Sequence, residues 1–208
     1  MSTQEQQRCS WCGDDPLYVA YHDTEWGIPV RDDQHLFELL CLEGQQAGLS
    51  WIVVLRKRAH YRKVFKNFDI KKVSRMSDAE IDALLSDAGL IRHKLKLYSI
   101  RNNALAALDL QVEFGSLENY FWGFVNGKPL MNKRQSIKDV PASTEISEAL
   151  SKDLKKRGFK FVGSTICYAF LQAGGLVNDH LSSCFRYQPQ LIENSKALTK
   201  SGVFNSSR

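Results

Sequence analysis

No apolar stretch of this sequence is long enough to cross a bilayer, which takes about 20 residues; runs such as Trp51 to Leu55 are far too short. The first residues, Met1-Ser2-Thr3-Gln4-Glu5, lack the basic start and apolar core of a secretory signal. These two absences point to a cytoplasmic protein with no membrane partner. Cysteine is scarce and odd in number, five in 208 residues. That argues against a disulfide framework and for thiols that stay free or bind metal. Internal repeats and low-complexity blocks are absent. Alternation of strand type is nearly so, and the expected fold class is all-α.

What is present is ordinary for a globular chain: 43% hydrophobic and 25% charged residues exclude wholesale disorder. A net charge of +5 permits a polyanionic partner without demanding one. The expected organisation is one domain of two helical lobes over residues 1–187, followed by a polar tail, 188–208, expected to be loosely ordered.

Helical spacing recurs along the chain. Gln34 to Ala47 places Leu36, Leu39, Leu40, Glu43 and Ala47 on one face; Gly48 ends that helix, and Ser50 is placed to cap another bearing Trp51, Val54 and Leu55. Ser77-Asp78-Ala79-Glu80 is a capping box that opens a helix with Ile81, Leu84, Leu85 and Ala88 inward, closed by Gly89. A turn at Leu90-Ile91-Arg92 leads to a helix with Leu97, Ile100, Ala104 and Leu108. Ser116 to Val125 reads as helix. Ile146, Ala149, Leu150 and Leu154 mark another that Gly158 stops, and an apolar helix runs from Ser164 to Gly174-Gly175.

Three groups of residues carry chemistry. Cys9 and His22 near the start, with His180-x3-Cys184 near the end, could share a tetrahedral metal, the last two one turn apart on a helix. Cys9-x2-Cys12 is a rival pair, and Cys41 and Cys167 read as small core hydrophobes. Trp11, Tyr18, Tyr21, Trp26 and Trp51 form an aromatic cluster, either core or a wall that stacks on a flat heterocycle. Glu43 lies on an apolar helix face, where a carboxylate needs a partner or a ligand. Finally, Leu84 to Leu97 reads helix, glycine turn, helix. Gly89, Arg92, His93, Lys94 and Lys96 there suit a phosphate, or form a plain solvated face. Lys155-Lys156-Arg157 with Lys160 is a second basic run open to the same two readings.

Longer words then enter. Asp15-Pro16-Leu17-Tyr18, Tyr21-His22-Asp23-Thr24-Glu25-Trp26-Gly27, Leu42-Glu43-Gly44-Gln45-Gln46-Ala47-Gly48-Leu49-Ser50-Trp51, Ala88-Gly89-Leu90-Ile91-Arg92-His93, Lys156-Arg157-Gly158-Phe159-Lys160-Phe161-Val162-Gly163 and Gly175-Leu176-Val177-Asn178-Asp179-His180 occur in order. With them the chain resembles the 3-methyladenine DNA glycosylase I family. The resemblance spans about residues 8 to 187. It implies a helix-hairpin-helix glycosylase fold, with Leu84 to Leu97 as the hairpin, and a bacterial-type cytoplasmic protein associated with the nucleoid through DNA binding. It implies one structural zinc ion on Cys9, His22, His180 and Cys184, joining the two ends of the chain. The base pocket it implies is lined by Glu43, Tyr21, Trp51 and Trp11, with Tyr18 and Trp26 beside them. The activity it implies is hydrolytic removal of 3-methyladenine, with 3-methylguanine a second candidate, from alkylated double-stranded DNA.

Glu43 is then the expected catalytic and base-selecting residue. No lysine stands out as an amine nucleophile, so no strand cleavage is expected, and a monomer is the simpler expectation. Two competing readings are a zinc-stabilised DNA-binding module without a base pocket, and a zinc hydrolase with an open metal position.

Overall fold

The computed structural model describes residues 6–187; the tail 188–208 lies outside them. Within that span the protein is mostly helical. Nine α-helices follow one another among the described residues: α1 Pro16–Thr24, α2 Asp33–Gln46, α3 Trp51–Val64, α4 Ile70–Ser74, α5 Asp78–Ala83, α6 Lys94–Phe114, α7 Leu117–Gly123, α8 Glu145–Lys156 and α9 Ser164–Ala173. Two short strands, β1 Leu130–Met131 and β2 Val177–Asn178, pair in parallel. No helix among the described residues is long and apolar enough to cross a membrane.

Side-chain caps fix most helix starts. Asp15 accepts from the N–H groups of Leu17 and Tyr18 to open α1, with Pro16 at the first position, where its missing N–H costs nothing. Asp32 caps α2 through His35, and Ser77 with Glu80 closes the expected capping box of α5. Ser50 occupies the N-cap of α3 in extended conformation, yet its hydroxyl accepts no capping bond.

The core centres on α2. Leu36 to Gln45 are all buried, so this helix is enclosed on nearly every side rather than along one stripe. It packs against α3, α6, α7 and α9.

The first helix of the expected hairpin is shorter than its spacing predicts. It ends at Ala83 and tightens into a 3-10 turn over Leu84–Ser86. Leu84 and Leu85 are half-buried and Ala88 is exposed, because the chain has left the helix before Ala88 could turn inward. Ala149 is likewise exposed. The inward face of α8 is Ser147, Leu150, Ser151 and Leu154, with the Ser151 hydroxyl donating to the Val162 carbonyl at 2.6 Å. A serine hydroxyl can be buried at such a position when it has an acceptor within the protein.

Behind α9 the chain reverses at Gly175 (φ +69°), where a Cβ would fall 2.4 Å from the Ile28 carbonyl carbon and 2.5 Å from Pro29 N. Two backbones cross there with no room for a side chain. Gly175→Ala combines left-handed strain of about 1–2 kcal/mol with a backbone clash, for a cost near 3 kcal/mol. At ~2–4 °C per kcal/mol for a chain of this size, a thermal melt should fall by roughly 10 °C; an unchanged Tm would show the crossing to be slack.

Candidate active site and metal centre

A cavity of about 220 Å³ opens between α1, α2, α3 and the segment after β2. The six residues the sequence nominates for a base pocket, Trp11, Tyr18, Tyr21, Trp26, Glu43 and Trp51, all line it. Trp11 is the hub of the aromatic wall. Its ring centroid lies 5.1 Å from that of Tyr18 and 4.9 Å from that of Trp26, while Tyr21 meets Trp51 at 5.5 Å. The Arg58 guanidinium, forked onto Glu25 at 2.5 and 2.7 Å, sits 5.8 Å from the Tyr21 ring centroid and ties α3 to the end of α1.

Glu43 is 4% exposed, and no hydrogen-bond donor among the described residues reaches its carboxylate. Burial alone pushes its carboxyl up to about 8. The indole N–H of Trp51, on the same cavity, is also buried without an acceptor. A carboxylate that lines a cavity and finds no donor among the described residues is what a polar ligand would satisfy.

The opposite wall escaped the sequence reading. Gln172 and Asp179 line it with Ile137 and Val140. Burial pushes the Asp179 carboxyl up, but donors on Tyr168, Arg134, Gln172 and Asn132 outweigh it and hold the group ionised. Its position beside a candidate metal ligand, His180, was the available signal.

The metal cluster assembles as expected: Cys9, His22, His180 and Cys184 place one ligand atom each within 4.8 Å of one another, all buried. Cys9 Sγ lies 3.6 Å from His180 Nδ1, and Cys184 Sγ lies 3.4 Å from His22 Nε2 and 3.6 Å from His180 Nδ1. Tetrahedral ligands at ordinary metal–sulfur and metal–nitrogen bond lengths sit about 3.5 Å apart, so the donor set fits one four-coordinate ion. The far nitrogens are oriented too. His22 Nδ1 faces Asp23 at 2.7 Å, and His180 Nε2 faces the Trp26 carbonyl at 3.2 Å. Arg8 grips Asp23 in turn at 2.8–2.9 Å. Such outer bonds set which nitrogen points at a metal.

Two expectations need correction. His180 and Cys184 are not on a helix: they follow β2 in a tight turn, where the Cys184 N–H bonds the Leu181 carbonyl at 2.8 Å. Lys96 does not face solvent, and its ammonium is occupied by backbone carbonyls. Cys12 stays outside the cluster and donates to the Cys9 carbonyl at 3.2 Å. Cys41 and Cys167 are buried in the core.

In the hairpin, Arg92, His93 and Lys94 are exposed, with His93 capping α6 through the Lys96 N–H. Gly89 has a packing reason: a Cβ there would sit 2.5 Å from the His60 ring. Of the second basic run, Arg157 is consumed by Glu113 and Asp153.

The family model for methyladenine glycosylase matches residues 11–187. The chain belongs to that family. It is 52% identical over 181 residues to the DNA-3-methyladenine glycosylase 1 of Escherichia coli K12, covering 87% of this chain and 97% of the relative. It is also 52% identical over 177 residues to the DNA-3-methyladenine glycosylase of Haemophilus influenzae, covering 85% and 96%. A solved 3-methyladenine DNA glycosylase I from Staphylococcus aureus, described for its recognition of 3-methyladenine, superposes with a TM-score of 0.85 at 38% identity, covering 87% of this chain and 96% of that one. The methyladenine glycosylase fold thus holds an unpaired carboxylate in an aromatic cavity in this chain.

That carboxylate has a thermodynamic signature. The buried acid binds its proton more tightly folded than unfolded, so stability is lost as pH rises between the unfolded value near 4.5 and the folded value near 8. Glu43→Gln removes the titration. Its Tm advantage over the unaltered protein should widen between pH 5 and pH 7.5, by about 3 kcal/mol in stability. A gap that stays constant with pH would mean Glu43 is paired after all.

Proposed function

We propose that the protein removes 3-methyladenine from alkylated duplex DNA by hydrolysis, leaving an abasic site. The supporting observation is Glu43, a carboxylate with no hydrogen-bond partner among the described residues inside an aromatic-walled cavity. A base stacked in a duplex is out of reach, so the nucleotide must be flipped into the cavity. Methylation at N3 leaves adenine positively charged. Its charge favours the ionised form of Glu43, while the rings of Trp11 and Trp51 offer π faces to the same cation. Unmodified adenine brings no charge to offset the burial of that carboxylate, and selection follows.

Chemistry needs little more. The bond from C1′ to the base breaks, its electron pair neutralises the departing base, and a water oxygen bonds to C1′ and gives up one of its two protons to solvent. Negative charge on Glu43 favours the positive charge that gathers at the sugar as the bond opens. Asp179 is saturated by donors, which suits it to shaping the wall rather than taking a proton. Lys96, the one lysine buried among the described residues, spends its ammonium on carbonyls outside the cavity, in keeping with hydrolysis without strand cleavage. Arg92, His93 and Lys94, at the exposed start of α6, hold the DNA backbone, with two like charges and a helix N-terminus facing phosphate.

The metal is zinc in a structural role. Cys2His2 is a zinc donor set, and four protein ligands leave no position for a reacting water.

Incubating methylated duplex DNA with the protein and separating the released bases should yield 3-methyladenine. Glu43→Gln should lower kcat/KM by about 100-fold, with no borohydride-trapped adduct in either sample. A variant that keeps both excision and free-base binding would remove Glu43 from the reaction. Elemental analysis should find one zinc per chain. Stripping it should lower Tm by roughly 10 °C or more, whereas exchange for cobalt or cadmium should leave excision within about twofold. A rate that tracks the identity of the ion would assign the metal to catalysis.

A further inference from the structure

Lys96 is 6% exposed, on the second helix of the hairpin, where the exposed basic residues stop. A buried ammonium needs acceptors. Its Nζ donates to the carbonyls of Gln45 at 2.8 Å and Ala47 at 2.6 Å. These belong to the end of α2, where carbonyls lack partners within the helix and carry partial negative charge. The last turn of α2 holds no basic residue of its own, so the compensating charge comes from α6.

The contact is reciprocal and extends to the turn. Gln45 Nε2 donates to the Lys96 carbonyl at 2.9 Å, and Gln45 Oε1 accepts from the Tyr61 hydroxyl at 3.2 Å. That hydroxyl oxygen accepts the Ile91 N–H at 3.1 Å. Both Ile91, in the hairpin turn, and Lys96, at the start of its second helix, are therefore bonded through Tyr61 and Gln45 to the helix end that carries Glu43. After Ala47, Gly48 (φ +77°) begins the short connection to Trp51.

Lys96 supplies the donor that the Gln45 and Ala47 carbonyls need, although a buried polar network as a whole adds little net stability over apolar packing of the same volume. What directional bonds add is one fixed register between the elements they join.

We infer that Lys96, with Gln45 and Tyr61, is a positioning residue that holds the hairpin and the base cavity at a set separation. A nucleotide whose backbone is gripped at Arg92–Lys94 then delivers its flipped base against Glu43 and Trp51. This rests on the function proposed above. Lys96 itself does not contact phosphate, because its nitrogen is buried and engaged.

Lys96→Met keeps the aliphatic stem and removes the ammonium, and Tyr61→Phe removes only the shared hydroxyl. Both are to be compared with the unaltered protein in Tm, in affinity for free 3-methyladenine, and in KM and kcat on methylated duplex. Free-base affinity and KM should stay within about threefold, while kcat falls about 10–100-fold for Lys96→Met and about 3–10-fold for Tyr61→Phe. The double variant should be little worse than Lys96→Met alone, as members of one network are not additive. An unchanged kcat in the folded variants overturns the inference. So does a loss of free-base binding in step with kcat, which would make Lys96 a prop of the cavity alone. Should Lys96→Met fail to fold, Tyr61→Phe decides by the same criteria. If the unaltered protein neither binds 3-methyladenine nor releases it from DNA, the proposed function fails and the register role falls with it.

Discussion

Enclosure of α2 is the constraint on which the rest of the molecule depends. A helix buried from Leu36 to Gln45 leaves each polar side chain on it two options: a partner inside the protein, or a ligand. Glu38 takes the first, gripped by Arg62 at 2.7–3.0 Å. Gln45 does the same, with both ends of its amide bonded. Glu43 lies on the same helix between them and has no hydrogen-bond partner among the described residues. The same burial that isolates it also raises its proton affinity. Site and core are therefore one object, and the stability given up at Glu43 is compensated by apolar residues a turn away.

The metal cluster bears on the same cavity from the other side. Trp11 packs on His22 at 5.3 Å and Trp26 on His180 at 4.6 Å between ring centroids. Gly27 leaves room for the His180 ring, where a Cβ would lie 2.9 Å from Nε2. Two of the aromatic wall's members thus rest on the imidazoles of the Cys/His cluster. Fixing the imidazoles fixes the wall.

Much of this was readable in the sequence, for reasons that differ by element. Some helix starts declared themselves because caps are local: Ser77 with Glu80, and Ser116, act on the residues that follow them, whereas Asp32 was not foreseen and Ser50 makes no capping bond. The cavity residues were legible because a carboxylate on an apolar face needs a partner or a ligand, while the aromatics, open to a core reading by themselves, were assigned to a pocket by the resemblance. The misses are tertiary. Spacing cannot tell a helical turn from the tight turn that holds His180 and Cys184, since both bring residues four apart together. Nor does a basic run reveal which lysine bends inward to meet a helix end 50 residues earlier in the chain, as Lys96 does with Gln45 and Ala47. Asp179 and Gln172 reach the cavity only through the fold of the last described segment.

The ligands of the metal cluster also impose an order on synthesis. Cys9 and His22 leave the ribosome early, and with them the aromatic wall, while His180 and Cys184 come after nearly all the rest. Closing a loop of that length is deferred until the late pair arrives. A chain still lacking residues 179–184 therefore lacks one wall of the cavity, to which Asp179 and Leu181 contribute. The cavity closes only when the segment carrying Asp179 and Leu181 has folded back beside Cys9, Trp11 and Trp26.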